Sequence, residues 1–290
     1  MNPDLKSRLE KILSEPIKSF SSVSGGCIAD TCQLKLESGK VYFLKYSSGS
    51  SSGAFSSEVR GLNELRKSGA VNVPKVISKG PDFLLLQWIE VGLSRKISSM
   101  EMLGGQFADL HRCSGKKFGF SEDNLLGAST QSNKPSKNGS LNWAEFYVEN
   151  RLEFQIDLAA KNGYATPEMR NLMDNLIRKV PDLISGTEEK PSLLHGDLWS
   201  GNYLIDENAT PWLIDPAVYY GHREADLAMT SLFGGFSNTF YSAYKSAYPL
   251  VSGYAEREPL YQLYHLLNHL NLFGTAYYSH VLSILRRYVA

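Results

Sequence analysis

The stretch from Leu193 to Asp206 reads LLHGDLWSGNYLID, and PWLIDP follows it, ending on Asp215 and Pro216. An aspartate at 197, an amide at 202 and a second aspartate at 215 supply hard oxygen ligands. Such a set holds Mg2+ while water and phosphate oxygens fill the remaining positions. The five-residue step from Asp197 to Asn202 lets one loop do two jobs. Asp197 faces an acceptor hydroxyl, and Asn202 turns back towards a metal on nucleotide phosphates, as in a phosphoryl-transfer catalytic loop. YLID and PWLID read as a short hairpin that delivers Asp215 to the same place as a charged metal ligand. Taken singly, Asp197 is a turn residue and Asp215 a helix cap before proline; the chemistry lies in the set.

Lys45 stands late in the β-rich run VYFLKY, and Glu58 lies on the next predicted helix, FSSEVRGLNELRKSG. Alone, each is a solvated surface charge. In this order, a strand lysine held by a helix glutamate keeps an ammonium ready for phosphate oxygens. Ahead of them, SSVSGGCIADT sets Gly25 and Gly26 between two strands. There, backbone N–H groups either approach a phosphate or form a plain β-turn. The stretch matches neither G-x-G-x-x-G nor the phosphate loop that ends in Gly-Lys-Ser/Thr.

A frame must hold these groups together. The 290 residues suffice for one large domain or two lobes. Lys+Arg and Asp+Glu balance at 30 each, so neither nucleic acid nor an anionic membrane is attracted in bulk. No apolar run reaches the ~18 residues of a membrane span. MNPDLKSRLEKIL reads as an amphipathic helix, not a signal peptide. The three cysteines lack metal-ligand spacing, and a reduced cytoplasmic protein is expected. Cys32, Leu34 and Leu36 alternate with polar residues on a strand, SSGSSSGAF reads as a linker, and VPKVISKG and FLLLQWIEV read as further strands. Beyond them, residues 113–140 read as a long loop and LNWAEFYVENRLEFQIDLAAKNG as one helix. The expectation is an α+β protein of two lobes with a cleft between them. Residues 1–90 form a β-rich nucleotide-binding lobe with one main helix, and 91–290 a mostly helical catalytic and acceptor-binding lobe.

The blocks GGCI, FLKY, SEVRGLNEL, VPKV, ADLH, FGF, LLHGDLWSGN, IDPAVYYGHREADLAM and YQLYHLLNHLNLFG run through nearly the whole chain. In order and approximate spacing they are similar to the fructosamine kinase, or ketosamine-3-kinase, family, one of the protein-kinase-like small-molecule kinases. The Leu-Trp-Ser-Gly filling of HGDLWSGN makes the resemblance specific. It implies a two-lobed protein-kinase-like fold, with ATP and Mg2+ as cofactors. It also implies phosphorylation of the sugar 3-hydroxyl of ketosamines, carried by glycated small amines or glycated protein lysines. The product would eliminate phosphate and release the amine, a deglycation. By matching motifs, Asp197 is the base or hydroxyl-orienting carboxylate, Asn202 and Asp215 hold Mg2+, and Lys45, held by Glu58, meets the phosphates. LLLQWIEV becomes the hinge, with backbone groups of Gln87 and Ile89 reaching adenine, and Asp226 binds the catalytic-loop backbone. IDP stands where protein kinases have Asp-Phe-Gly, and no Ala-Pro-Glu follows. The short segment before Glu224 leaves little room for an activation loop, which favours a small or end-on acceptor.

Trp199 is placed either to stack on a sugar face or to pack in the core. Tyr220 (with Tyr219), Asn268 and His269 are further acceptor-pocket candidates with the same alternative. Cys27 follows the glycine pair near a lysine, where positive charge and backbone N–H groups favour a reactive thiolate. It is a candidate redox site, and a monomer or redox-dependent homodimer is expected. The competing readings are a kinase for another small hydroxyl acceptor (aminoglycoside, amino alcohol or sugar) and a nucleotide-binding pseudokinase. No base or metal ligand is missing, which argues against the second.

Overall fold

The computed structural model describes residues 3–23, 29–47, 52–92, 97–134 and 142–289. Gly25, Gly26 and Cys27 lie outside the described residues.

Helix α1 (Pro3–Leu13) precedes β1 (Ile17–Ser22), β2 (Asp30–Leu36) and β3 (Val41–Tyr46). Helix α2 (Ser52–Ser68) then leads to β4 (Val76–Lys79) and β5 (Phe83–Gln87). The strands form one antiparallel sheet in the order β1-β2-β3-β5-β4. The alternating side chains of β2, Cys32, Leu34 and Leu36, pack with Leu44, Phe83 and Leu85 against Leu5 and Leu9 of α1. The period-2 pattern sends Lys45 to the opposite face from Leu44, paired across the strands with Thr31 and Leu84. In β5, Leu85 serves the α1 side while Leu84 and Leu86 serve the α2 side. A strand covered on both faces is uninterrupted in its hydrophobicity, which accounts for the run FLLL.

The remainder is mostly helical: α3 (Ile97–Arg112), α4 (Trp143–Tyr147), α5 (Phe154–Lys161), α6 (Pro167–Leu183), α7 (Arg223–Leu232), α8 (Asn238–Ala247), α9 (Tyr254–Phe273) and α10 (Tyr278–Val289). Among the helices lie short strand pairs: β6 (Asn124–Leu126) with β7 (Ser129–Gln131), β8 (Ser192–Leu194) with β11 (Tyr219–Gly221), and β9 (Tyr203–Ile205) with β10 (Pro211–Leu213). One core runs from Phe55, Leu62 and Leu65 of α2 through α3 to Leu198, Tyr203 and Leu213, so apolar packing joins sheet and helices. Among the described residues no helix is long and apolar enough to cross a membrane.

Three details correct the expectations from sequence. The α2 helix begins at Ser52, inside the stretch read as linker. Phe55, 2% exposed, anchors its first turn in the core, and tertiary burial outweighs the weak propensity of Ser and Gly. The loop 113–140 contains the β6–β7 hairpin. Its two amides are buried: Gln131 donates to Asn124 Oδ1 and Ala217 O, each at 2.8 Å, and Asn124 donates to Val218 O at 2.7 Å. These amides satisfy the backbone just past Asp215, so part of the stretch read as a long loop is a buried hydrogen-bonded network. The helix read over 141–163 is interrupted by a π-helical segment, Val148–Glu153. It carries the fully buried Arg151, whose guanidinium lies 4.1 Å from the ring centroid of Tyr219 and 4.9 Å from that of Phe146.

Candidate active site

The β8–β11 and β9–β10 pairs hold the catalytic segment between them. After β8 the chain turns at Gly196, φ +82°, where a Cβ would stand 2.0 Å from Ala217 O; only glycine fits. Asp226, near the start of α7, accepts from the backbone N–H of His195 at 2.7 Å and of Gly196 at 2.8 Å. Its Oδ2 also lies 3.2 Å from Nε2 of His111 on α3. The turn is thus suspended from a buried carboxylate. Asn202 closes it by donating Nδ2 to Asp197 O at 2.8 Å and to Asp197 Oδ2 at 3.1 Å. Ile214 N–H donates to Asn202 O at 3.0 Å, and this backbone bond brings Asp215 alongside. Asp215 has φ +54°, a left-handed conformation uncommon outside glycine and one that often marks functional sites.

Lys45 Nζ lies 2.9 and 3.0 Å from the two Glu58 oxygens and 2.5 Å from Asp215 Oδ1. Burial works against the ammonium, yet the Asp215 and Glu58 carboxylates outweigh it and hold its pKa above the ordinary lysine range. Burial, reinforced by the nearby Asp215 charge, raises the Asp197 carboxyl well above its usual range, against the opposing bond from Asn202.

These residues line one cavity of about 540 Å³, together with Thr31, Phe43, Gln87, Ile89, Trp199 and Ile214. Thr31, Phe43 and Lys45 come from the sheet face, Gln87 from the end of β5, Ile89 from the connection after it, and Asp197, Asn202 and Asp215 from the segments flanking the β9–β10 hairpin. The Gln87 N–H is taken by Lys75 O at 2.8 Å, so it cannot reach adenine; of the Gln87 backbone only the carbonyl side is left. The connection is strapped to the β9–β10 turn by Gly92 N–H to Ile205 O at 2.9 Å and Glu207 N–H to Glu90 O at 3.1 Å.

Trp199 is 38% exposed at the cavity wall and is no core residue. Its indole folds over Gly201, where a Cβ would stand 2.4 Å from the ring. The other acceptor candidates are not brought to this cavity. Tyr220 donates its hydroxyl to Glu64 on α2 at 3.0 Å. Tyr219 lies buried under Arg151. Asn268 is buried against Gln155 and Leu126. His269 bonds its own helix at His265 O and sits among Phe233, Phe273 and Tyr277. Residue type and place in the chain put these residues forward, and neither says in which direction the element's face points. Leu125 and Gly127 of the β6–β7 hairpin also line the cavity. Nothing in a stretch read as loop could have marked them.

The donor set fits Mg2+. Asn202 has committed its Nδ2 to Asp197, so Oδ1 is the atom left to coordinate, and Asp215 already holds a cation in the form of Lys45. Among the described residues no group of three or more His, Cys, Asp or Glu could hold a metal ion, so the pair depends on phosphate oxygens and water.

Among curated proteins, the chain is 35% identical over 301 residues to a ketosamine-3-kinase of Mus musculus, covering 93% of this chain and 94% of that protein. It is 36% identical over 280 residues to a chloroplastic protein-ribulosamine 3-kinase of Arabidopsis thaliana, covering 94% and 83%. Among solved structures, one assigned as a fructosamine-3-kinase of Thermobifida fusca superposes with a TM-score of 0.89 at 30% identity, covering 99% of both chains. An ADP-bound aminoglycoside phosphotransferase superposes at 0.65 with 14% identity over the full length of both, which establishes the two-lobed kinase-like fold. The fructosamine kinase family model matches residues 1–290, and the chain belongs to that family.

Proposed function

We propose that this chain transfers the γ-phosphoryl group of ATP to the sugar 3-hydroxyl of a ketosamine. The observation that carries the reading is the convergence of Lys45, Glu58, Asp197, Asn202 and Asp215 on one cavity, in a chain of this family. Phosphoryl transfer passes through a loose transition state, so catalysis is mainly positioning and charge stabilisation. Lys45, oriented by Glu58, places a fixed positive charge for phosphate oxygens. Asn202 Oδ1 and Asp215 would hold Mg2+, which supplies neutralisation of phosphate charge. Asp197 orients the acceptor hydroxyl and takes its proton as the oxygen becomes bonded to phosphorus. Trp199, half-exposed at the wall, offers an apolar face for the sugar. A phosphate on C3 lies β to C1, whose protons the C2 carbonyl acidifies. Loss of a C1 proton gives the 1,2-enaminol, the nitrogen lone pair of which expels the allylic phosphate from C3, and hydrolysis of the resulting imine at C1 frees the amine.

Residues 1–90 serve as the nucleotide lobe and 91–290 as the catalytic and acceptor lobe, in a cytoplasmic enzyme whose substrates are glycated small amines or glycated protein lysines. The only carboxylates among the described cavity residues are Glu58, Asp197 and Asp215, all with assigned roles, so there is no extra acidic lining for a polycationic aminoglycoside. The test is ATP consumption against ketosamines, free sugars and aminoglycosides, with mass detection of product. Phosphorylated ketosamine that decays to free amine is expected; turnover confined to the other acceptors would sink the reading.

A further inference from the structure

Helix α2 carries Glu58, so its angle decides whether that glutamate reaches Lys45. Three contacts from across the cleft bear on the angle. At Gly61 a Cβ would stand 3.1 Å from Pro216 Cγ and 3.4 Å from Val218 Cγ2, so the helix backbone rests directly on the segment after Asp215. Arg60 Nε lies 2.5 Å from Glu122 Oε1, but the two side chains are 38% and 42% exposed, and ion pairs so placed contribute little. The third contact is the hydrogen bond from Tyr220 to Glu64, whose side chain is only 24% exposed.

Tyr220 is held on every side. Its backbone pairs with Leu193 of β8, the strand that leads into the catalytic turn. It also exchanges two hydrogen bonds with Gly119, at 2.8 and 2.9 Å. Its ring covers Gly115, where a Cβ would stand 2.6 Å from the ring. Burial, and then the Glu64 carboxylate, push its phenol up to about 12, so the donor proton stays in place near neutrality. A rigid donor on the catalytic side thus grips a helix on the nucleotide side.

We propose that Tyr220 is a positioning residue: through Glu64 it latches α2 to the catalytic segment and so keeps Glu58 against Lys45. In protein kinases the same helix is set by a long activation loop. Here only residues 216–222 lie between Asp215 and α7, and the latch sits within them. The Lys45–Glu58 pair is therefore formed without modification or partner.

The proposal rests on the nucleotide-binding reading of the cleft, so the primary readout is the Kd for MgADP by calorimetry, which needs no acceptor. Tyr220→Phe removes only the hydroxyl, Glu64→Ala removes the acceptor, and Glu64→Gln keeps an acceptor oxygen. In Tyr220→Phe and Glu64→Ala the Kd for MgADP and the KM for ATP should rise about tenfold, with the KM for ketosamine unchanged. The double variant should be no worse than either single one, and Glu64→Gln should stay within about twofold of wild type. Unaltered MgADP affinity in Tyr220→Phe, or additive losses in the double variant, would overturn the latch. A lowered Tm with unchanged affinity in the folded protein would also overturn it, since Tyr220 would then be packing alone. If the wild type bound no MgADP, the reading of the cleft itself would fall.

Discussion

One ammonium, Lys45 Nζ, bridges Glu58 on α2 and Asp215 beyond β10, at 2.9 Å and 2.5 Å. If Asp215 is a magnesium ligand, as proposed, magnesium-nucleotide has to take it from that lysine. Asp215→Ala should therefore weaken binding of MgATP by at least about tenfold, the scale on which losing even an outer-sphere partner acts. Metal-free ADP should be affected much less. Calorimetric titrations with and without Mg2+ separate the two, and equal losses in both would remove Asp215 from the metal site.

Asp197→Asn keeps the size and hydrogen-bonding shape of the side chain but cannot accept a proton as a carboxylate does. Turnover should fall by about 10²–10⁴-fold with nucleotide affinity retained. Wild-type kcat on the best ketosamine would show that the catalytic loop has been misassigned.

Trp199→Ala should raise the KM for ketosamine or lower kcat while leaving the Kd for ATP unchanged, because the indole stands half-exposed at the wall. Partial exposure also means that the Tm should move by only a few degrees, about what a loss near 1 kcal/mol produces. A large Tm drop with intact kinetics would make the ring a packing element.

Burial holds the imidazoles of His111, His195, His222 and His265 below the ordinary histidine range, His265 at about 3. In the unfolded chain they protonate near pH ~6.5. Below that pH the unfolded state binds protons that the folded state refuses, so stability falls on acidification; for His265 the slope approaches about 1.4 kcal/mol per pH unit below pH ~6.5. Above it, both states are neutral and these groups contribute no slope. His265→Leu should remove one proton's worth of this slope in urea titrations between about pH 7 and 5. An unchanged slope would show that His265 is protonated in the native state.

The meeting of Lys45, Glu58, Asp197, Asn202 and Asp215 at one cavity was legible in the sequence because they lie close together in the chain or in a fixed order along it. Asp197, Asn202 and Asp215 span one hairpin-rich stretch, and Lys45 and Glu58 lie on adjacent elements. The acceptor side was not legible. Tyr220, Asn268 and His269 stand on regular elements whose orientation is fixed by contacts across the fold, with Glu64, Gln155 and the Phe233 ring. The buried Asn124–Gln131 network escaped for a related reason. Amides that satisfy a remote backbone have the same composition as amides in solvent, and only the partner strand tells them apart.

The indole of Trp199 lying over Gly201 makes the two positions a single unit of variation. Any side chain at 201 must displace the ring, so a change there re-aims the tryptophan without deleting it. If Trp199 meets the acceptor as proposed, position 201 becomes a second place from which acceptor choice can be altered, without a change at Asp197 or Asn202 themselves.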